Sequence, residues 1–532
     1  MRSHLLCIFL LLASNAWGHI GSPNVCFEGK AGPFPVRIGI RPPGVVPGLA
    51  EINVRVLSGN VHRVTALPIY WDAGREGAPP PDVAEPVRGE TNLFSTSLWL
   101  MKPGAYSVEV TIEGNQGVGT ITVPVDSVAT ARNTMDPWFT VMFTALGILL
   151  FLGGVKLVGA AFGEAILDPR AEFTGRLRRH ARLAMLAGAI VLSLLLLIGK
   201  AWWDLDDRNY RNNRLYKPVP VDVSVRFEQA QPILRLVIND HKRRDWAPLI
   251  PDHGKLMHLF LVREPNLDAF AHLHPVQVNP TTFDVPLPPL PQGIYTFYGD
   301  VTHENGSADT LTGSMQMPVL PESFTRLWRA GGTSDVICSS SGRLTNSLLA
   351  PDPDDAWHVD RAGNNLMAAS PSNEPQISRL ANDYAIVWQK NGELVANREV
   401  SLRFKLVCGE GPAALEPYMG MLGHAVVRRK DGAVFAHMHP VGTFSMASQQ
   451  VFLQRERSND GIGRARSEKL ENLTQSLASV PHSNHSASTN TVSAVSFPYE
   501  FPKPGPYRIW VQLRSKNRVL TGVFDTEVQP AK

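Results

Sequence analysis

Two apolar runs in the middle of the chain constrain its fold more than any other feature. Trp138 to Val155 reads WFTVMFTALGILLFLGGV without a charge and stays apolar past Lys156 to Phe162. Leu183 to Gly199 reads LAMLAGAIVLSLLLLIG and extends past Lys200 to Trp203. As a helix rising ~1.5 Å per residue, either run matches a hydrocarbon layer of ~30 Å. A buried core helix would account for one such run. Two of them, about twenty residues apart, read as a transmembrane hairpin: helix 137–162, loop 163–182, helix 183–203. The loop carries Arg170, Arg176, Arg178, Arg179 and Arg182, and short arginine-rich loops face the cytoplasm. Trp138, Trp202 and Trp203 fall at the other ends, where indoles anchor at the membrane surface.

The N-terminus, MRSHLLCIFLLLASNAWGH, has one basic residue, a short apolar stretch and the small residues Ala16 and Gly18. It reads as a signal peptide over 1–18, being too short to span at the ~20 residues a crossing needs. The expected topology exports both flanks of the hairpin, with an anchor in a bacterial inner membrane and the main domains periplasmic or extracellular. Neither helix holds an acidic residue, so an ion path is not expected. Gly153, Gly154 and Gly159 would permit close approach of a partner helix, such as one from an envelope transporter. A net charge of +3 over 532 residues gives no basic field for nucleic acid. Four cysteines exclude a disulfide scaffold. Cys338 and Cys408 are available for one bridge, which leaves Cys26 odd once Cys7 departs with the signal peptide.

The rest of the chain reads as β-structure. Between 26 and 128, the segments FPVRIGIR, AEINVRVL, ALPIYW, FSTSLWL and AYSVEVTI alternate or are punctuated by Pro and Gly, as in an antiparallel sandwich. Two further strand-rich blocks, 219–320 and 382–529, share four landmarks in one order and so constitute an internal repeat. MHLFLVREPNLDAFAHLHP matches GHAVVRRKDGAVFAHMHP; then come GIYTFYGDV against GPYRIWVQL, and Leu-Thr-Gly at 311–313 against 520–522. The polar stretch 321–379 is expected to be a linker, and 455–490 a loop insertion whose His482 and His485 are surface histidines. The fold class is therefore mainly β, with three sandwiches and a two-helix membrane hairpin.

Each repeat carries three histidines: His258, His272 and His274, then His424, His437 and His439. In a strand, His-x-His puts both rings on one sheet face with Cα atoms ~7 Å apart, close enough to share an ion at ~2.0–2.1 Å per nitrogen. The first histidine of each set opens the neighbouring strand of a hairpin. Imidazole suits copper or zinc, and the order of divalent affinities favours copper. Met419 and Met421, in the loop before His424, add thioether donors that prefer Cu(I). Asp300 and His303 follow the aromatic strand of the second block as a further ligand or outer partner, where the third block has Gln512 and Ser515. The competing reading is that the histidines are hydrogen-bonded turn residues kept by both repeats for folding.

The paired GHxVxxR and HxHP segments resemble those of exported bacterial proteins regarded as heavy-metal or copper handling. That resemblance implies Ig-like or cupredoxin-like sandwiches and metal binding through the two histidine sets. Met257 stands where that pattern has Gly. No Gly-x-Ser-x-Gly, Cys-His pair or HExxH occurs, so no enzyme is expected. The expected function is a membrane-anchored envelope protein that binds copper, with zinc as the other ion the donors admit, and buffers or senses the metal or delivers it to an envelope transporter or metalloenzyme. The alternative is a non-enzymatic adhesion or assembly scaffold.

Overall fold

The computed structural model describes residues 24–132, 134–163, 174–228, 231–239, 248–321, 324, 351–360, 375–458 and 492–531. The signal-peptide segment, Cys338, His482 and His485 lie outside the described residues. The protein is mainly β, built from antiparallel sheets, with two long apolar helices.

Strands form where alternation gives each an apolar face. In Phe34–Arg41, Phe34, Val36, Ile38 and Ile40 are buried and the residues between them are half-exposed. This face joins Ile52, Val54, Val108 and Val110 in the core between a five-stranded sheet and a four-stranded sheet. The second sandwich sets the sheet containing Val221–Glu228, Gln231–Ile238 and Thr282–Pro286 against a six-stranded sheet. The latter runs Leu249–Ile250, Gly293–His303, His258–Arg263, Ala269–Leu273 and Ala356–Val359, with Ala308–Met317 beside Gly293–His303. The third sandwich repeats the plan, with Phe435–Met438, His424–Arg429, Gly505–Ser515 and Arg518–Val528 forming the matching sheet.

The repeat extends to register. His258 pairs with Asp300, and His424 pairs with Gln512. The two matching sheets also face each other. Phe270 stacks on Trp510 at 4.8 Å and 12°, and Phe435 on Tyr298 at 3.8 Å and 6°. Tyr298 and Trp510 stand at the same place in their repeats, two residues before Asp300 and Gln512, so the contact is reciprocal, as in a two-fold dimer interface. Phe260, Val262, Val426 and Leu267 complete this second apolar cluster.

Three segments differ from the sequence expectation: the second apolar helix begins at Gly175, inside the expected loop 163–182, and takes Arg176, Arg178, Arg179 and Arg182 into its first turns. Ala356–Val359, inside the stretch read as a linker, is the edge strand beside Ala269–Leu273. Four residues are too few for a period to show amid Ser, Asn and Asp. Met446–Ser458 is a helix that begins before the expected insertion and runs into it. Its Ser448 amide donates to the Ser445 hydroxyl at 3.2 Å, a cap that satisfies an otherwise unpaired helix donor. Around this helix the three sandwiches meet: Phe444 enters the first core, Phe452 meets Trp71 edge-on at 5.2 Å, and the Ala447 amide donates to Asp252 at 3.2 Å.

The helices Pro137–Gly163 and Gly175–Asn213 are long and apolar enough to cross a membrane. They pack on each other through small residues: a Cβ added at Gly159 would sit 2.5 Å from Met185, and one at Gly188 would sit 3.2 Å from Val158. Gly159, expected to receive a partner helix, is used within the hairpin, while Gly153 faces open space.

Candidate metal centre

Each histidine triad is assembled as the strand geometry requires. Within each, every residue offers a nitrogen within 4.8 Å of the others. His258 Nδ1 lies 3.1 Å from His272 Nε2, and His424 Nδ1 lies 3.3 Å from His437 Nε2. Two nitrogens bound tetrahedrally to one ion at ~2.0–2.1 Å stand about 3.3 Å apart.

What holds the far side of each ring makes these separations informative. His258 Nε2 is 3.1 Å from the Asp252 carbonyl, and His424 Nε2 is 3.1 Å from the Tyr418 carbonyl. His272 Nδ1 is 2.9 Å from Gln512 Oε1, and His437 Nδ1 is 3.4 Å from Asp300 Oδ2. The partners of His258, His424 and His272 are oxygens that accept, so these three rings donate an N–H outward and, when neutral, keep only a lone pair inward, while Asp300 lies at ion-pair distance from His437. In the His258–His272 pair, two lone pairs then face each other at near-contact distance. Such an arrangement is repulsive unless a cation lies between them.

A proton is a poor candidate for that cation. Burial, with His437 adding, lowers His258 to about 4. Burial also holds His272, His274, His424 and His439 well below the usual histidine range, the nearest contributing rings being His274, His258, His437 and His437 in that order. Neutral imidazoles are the form that binds metal. His274 takes the outward role differently: its Nδ1 lies 3.0 Å from Asp355 Oδ1, and its buried Nε2 has no hydrogen-bond partner. Both ring nitrogens of His439 are likewise buried without one.

The triads are not remote from each other. The aromatic stacks bring the two sheets together, and the triads meet at one end of that interface: ring centroids of His258 and His437 are 5.4 Å apart, and those of His272 and His424 are 6.1 Å apart. Asp300 and Gln512 cross the interface. Each braces the other repeat's second histidine, so Asp300 serves the third block and not the second, as the sequence order suggested. Thr310 donates to the remaining Asp300 oxygen at 2.7 Å.

The other sequence candidates fall elsewhere. His303 Nε2 is 3.1 Å from Asp309, apart from the triads. Met257 and Met438 are in sandwich cores. Met421 is buried in the turn that precedes His424, its carbonyl accepting the Tyr418 amide at 2.7 Å. Met419 packs with Tyr418, Ala356 and Val519.

Two residues went unnoticed in the sequence. Asp355 lay in the apparent linker. His253 stands 4.7 Å from His439 and 5.6 Å from His424, ring to ring. Its signal was available: it lies five residues before His258, just as Met419 lies five before His424.

Fold and site together define a mainly β protein with two apolar helices and a pair of joined histidine triads. A family model described as "Domain of unknown function (DUF8832)" matches residues 379–462, the stretch that supplies the third-block triad. No curated protein matches the chain. Among solved structures, a variant of Salmonella alpha-2-macroglobulin is similar at 8% identity and a TM-score of 0.18, over 96% of this chain and 24% of that one. This chain thus spans about a quarter of that protein's length. A tetra-tandem repeat from the extending region of a large adhesion protein is similar at 9% identity and a TM-score of 0.14, over 91% and 96% of the respective chains. The BSP domain of a biofilm associated protein is similar at 8% identity and a TM-score of 0.13, over 100% and 84%.

Proposed function

We propose that the protein is a membrane-anchored envelope protein that binds copper through His258, His272 and His274 and through His424, His437 and His439. It would buffer or sense the metal, or deliver it to an envelope transporter or metalloenzyme, without catalysing a reaction. The observation that carries this reading is the pairing of inward nitrogens of His258 and His272 at 3.1 Å, both of whose rings already spend their N–H groups on oxygens, in a triad whose counterpart sets His424 and His437 at 3.3 Å. Hydrogen-bonded structural histidines would place an N–H against each lone pair. Copper is favoured over zinc by the order of divalent affinities for imidazole. In the proposed topology the signal peptide and the arginine-rich loop put the sandwiches outside the cytoplasm.

The test is elemental analysis of the full chain purified in detergent after exposure to copper and zinc. About two copper ions per chain are expected, and the variant with His272, His274, His437 and His439 all changed to Ala should hold none. Two ions retained in the variant, or none in the native chain, would overturn the reading. A second measurement guards against a variant that fails to fold. An ion that binds only the folded state raises its stability by about 2.7 kcal/mol at one hundred times Kd, so the native chain must melt higher with copper than without.

A further inference from the structure

The turns that lead into the two triads are the same structure with different residues at the apex. Asp252 bridges Lys255, and Tyr418 bridges Met421. The apex residues His253 and Met419 have φ of 51° and 49°, followed by Gly254 and Gly420 at 79° and 78°. A side-chain-bearing residue in the left-handed region is uncommon, and here it recurs at the matched place. The carbonyl before each apex accepts from the first histidine of its own triad, at 3.1 Å in both.

The apex of the first turn does not serve its own repeat. His253 is 4.7 Å from His439 and 5.6 Å from His424, but 6.3 Å from His258. It therefore leans across the interface, as Asp300 and Gln512 do. The same relation carries Met419 toward the second-block triad. A contact independent of the symmetry agrees: Met419 packs with Ala356, and Ala356 is the register partner of His272.

We propose that the two triads form one asymmetric two-metal centre in which each repeat's turn lends a fourth donor to the other's triad. His253 completes His424, His437 and His439, and Met419 completes His258, His272 and His274. This rests on the reading that the triads bind metal. Four imidazoles make a site for Cu(II) or Zn(II); three imidazoles and a thioether make one that prefers Cu(I). The centre is thus matched to two oxidation states of copper held side by side. Asp252 ties the arrangement to the third block, because its carboxylate receives the Ala447 amide at 3.2 Å, eight residues after His439 in a different sandwich from His253.

The experiment uses the full chain in detergent, titrated with Cu(I) against a competing chelator and separately with Cu(II) followed by electron paramagnetic resonance. Met419→Leu, which keeps size and loses the sulfur donor, should weaken one Cu(I) equivalent by ~10–100-fold, the range seen when a group supporting a metal site is removed, with Cu(II) unchanged. His253→Ala should weaken one Cu(II) equivalent by a similar factor and alter its hyperfine splitting. Met421→Leu should change neither. If the native chain takes up two ions and both apex variants match it in affinity and spectrum, the fourth donors are wrong and the triads stand. If both variants weaken the same ion, the crossing is wrong. If the native chain takes up no ion, the reading beneath has failed as well.

Discussion

Asp300 and Gln512 hold the same position in the two repeats, across the ladder from the first histidine of each set, yet one is a carboxylate and the other an amide. A carboxylate against an imidazole N–H raises the ring's donor strength more than an amide oxygen does. Asp300→Asn should therefore weaken metal at the third-block triad by ~10–100-fold and leave the second-block triad unchanged, as read from two resolved binding constants. Equal loss at both would place Asp300 in the wrong role. A second residue makes a prediction that needs no metal. Asp126, half-buried, accepts the Ala308 amide at 3.1 Å. Burial and the neighbouring Asp309 carboxylate push it from 3.8 up to about 7, against the pull of that amide and of His303. The folded chain thus holds a proton that the unfolded chain releases. Stability falls as pH climbs from about 4 toward about 7, by about 2–4 kcal/mol at most. Asp126→Asn cannot ionise, so its melting temperature relative to the native chain should rise between pH 5 and pH 8; a constant difference would exclude this role. Of the residue-scale design, the six histidines were legible because His-x-His in a strand has a fixed geometry. Their outer partners were legible only in part: Asp300 was visible as a partner but not as serving the other block, and Gln512 and Asp355 reach their rings across pairings that no local spacing encodes.

In the histidine strands both faces are apolar. In His258–Arg263, Leu259 and Leu261 join the sandwich core, while Phe260 and Val262 join the cluster shared with the third block. Every residue from His258 to Val262 is buried, so something had to cover the second face, and the matching strand of the other repeat does so. That much was written in HLFLV and AFAHL, which apart from their histidines are apolar runs with no alternation. The identity of the cover was not, since apolar area is non-directional and any apolar sheet would serve. The stacks of Phe270 on Trp510 and Phe435 on Tyr298 hold the two sheets in one register, helped by Arg428, which donates to the Tyr298 hydroxyl at 2.9 Å and pairs with Glu264. Trp510→Ala removes a fully buried ring from this interface, at a cost of about 3–5 kcal/mol. The expected result is a lower melting temperature together with weaker metal binding at both triads. Loss of stability with metal affinity intact would mean that the triads do not depend on the joining of the sheets.

The described residues up to Val128 and from Lys217 onward fold into one compact unit, although the two apolar helices lie between them in the chain. The first sandwich is locked to the third by buried Glu500, which receives Asn24 at 2.6 Å and Arg41 at 2.7 Å, and by the Glu28 amide donating to the Val441 carbonyl at 2.9 Å. Segments that share such contacts cannot lie on opposite sides of a bilayer. If the helices span, they must span as a pair and return the chain to the side it left. The hairpin reading thus gains an argument that hydropathy cannot supply, because hydropathy counts crossings but does not say which flanks belong together. The arginine-rich segment, whose Arg176, Arg178, Arg179 and Arg182 open the second helix, then lies alone on the far side. This can be read with single cysteines at Gln116, Arg179 and Arg518, all exposed, in a chain whose native cysteines are changed to serine. A membrane-impermeant maleimide applied to spheroplasts should label Gln116→Cys and Arg518→Cys at once, and Arg179→Cys only after the membrane is opened. Labelling of all three from outside would mean that the helices do not cross. Labelling of Gln116→Cys without Arg518→Cys would separate the first sandwich from the third and break the unit that holds the two triads together.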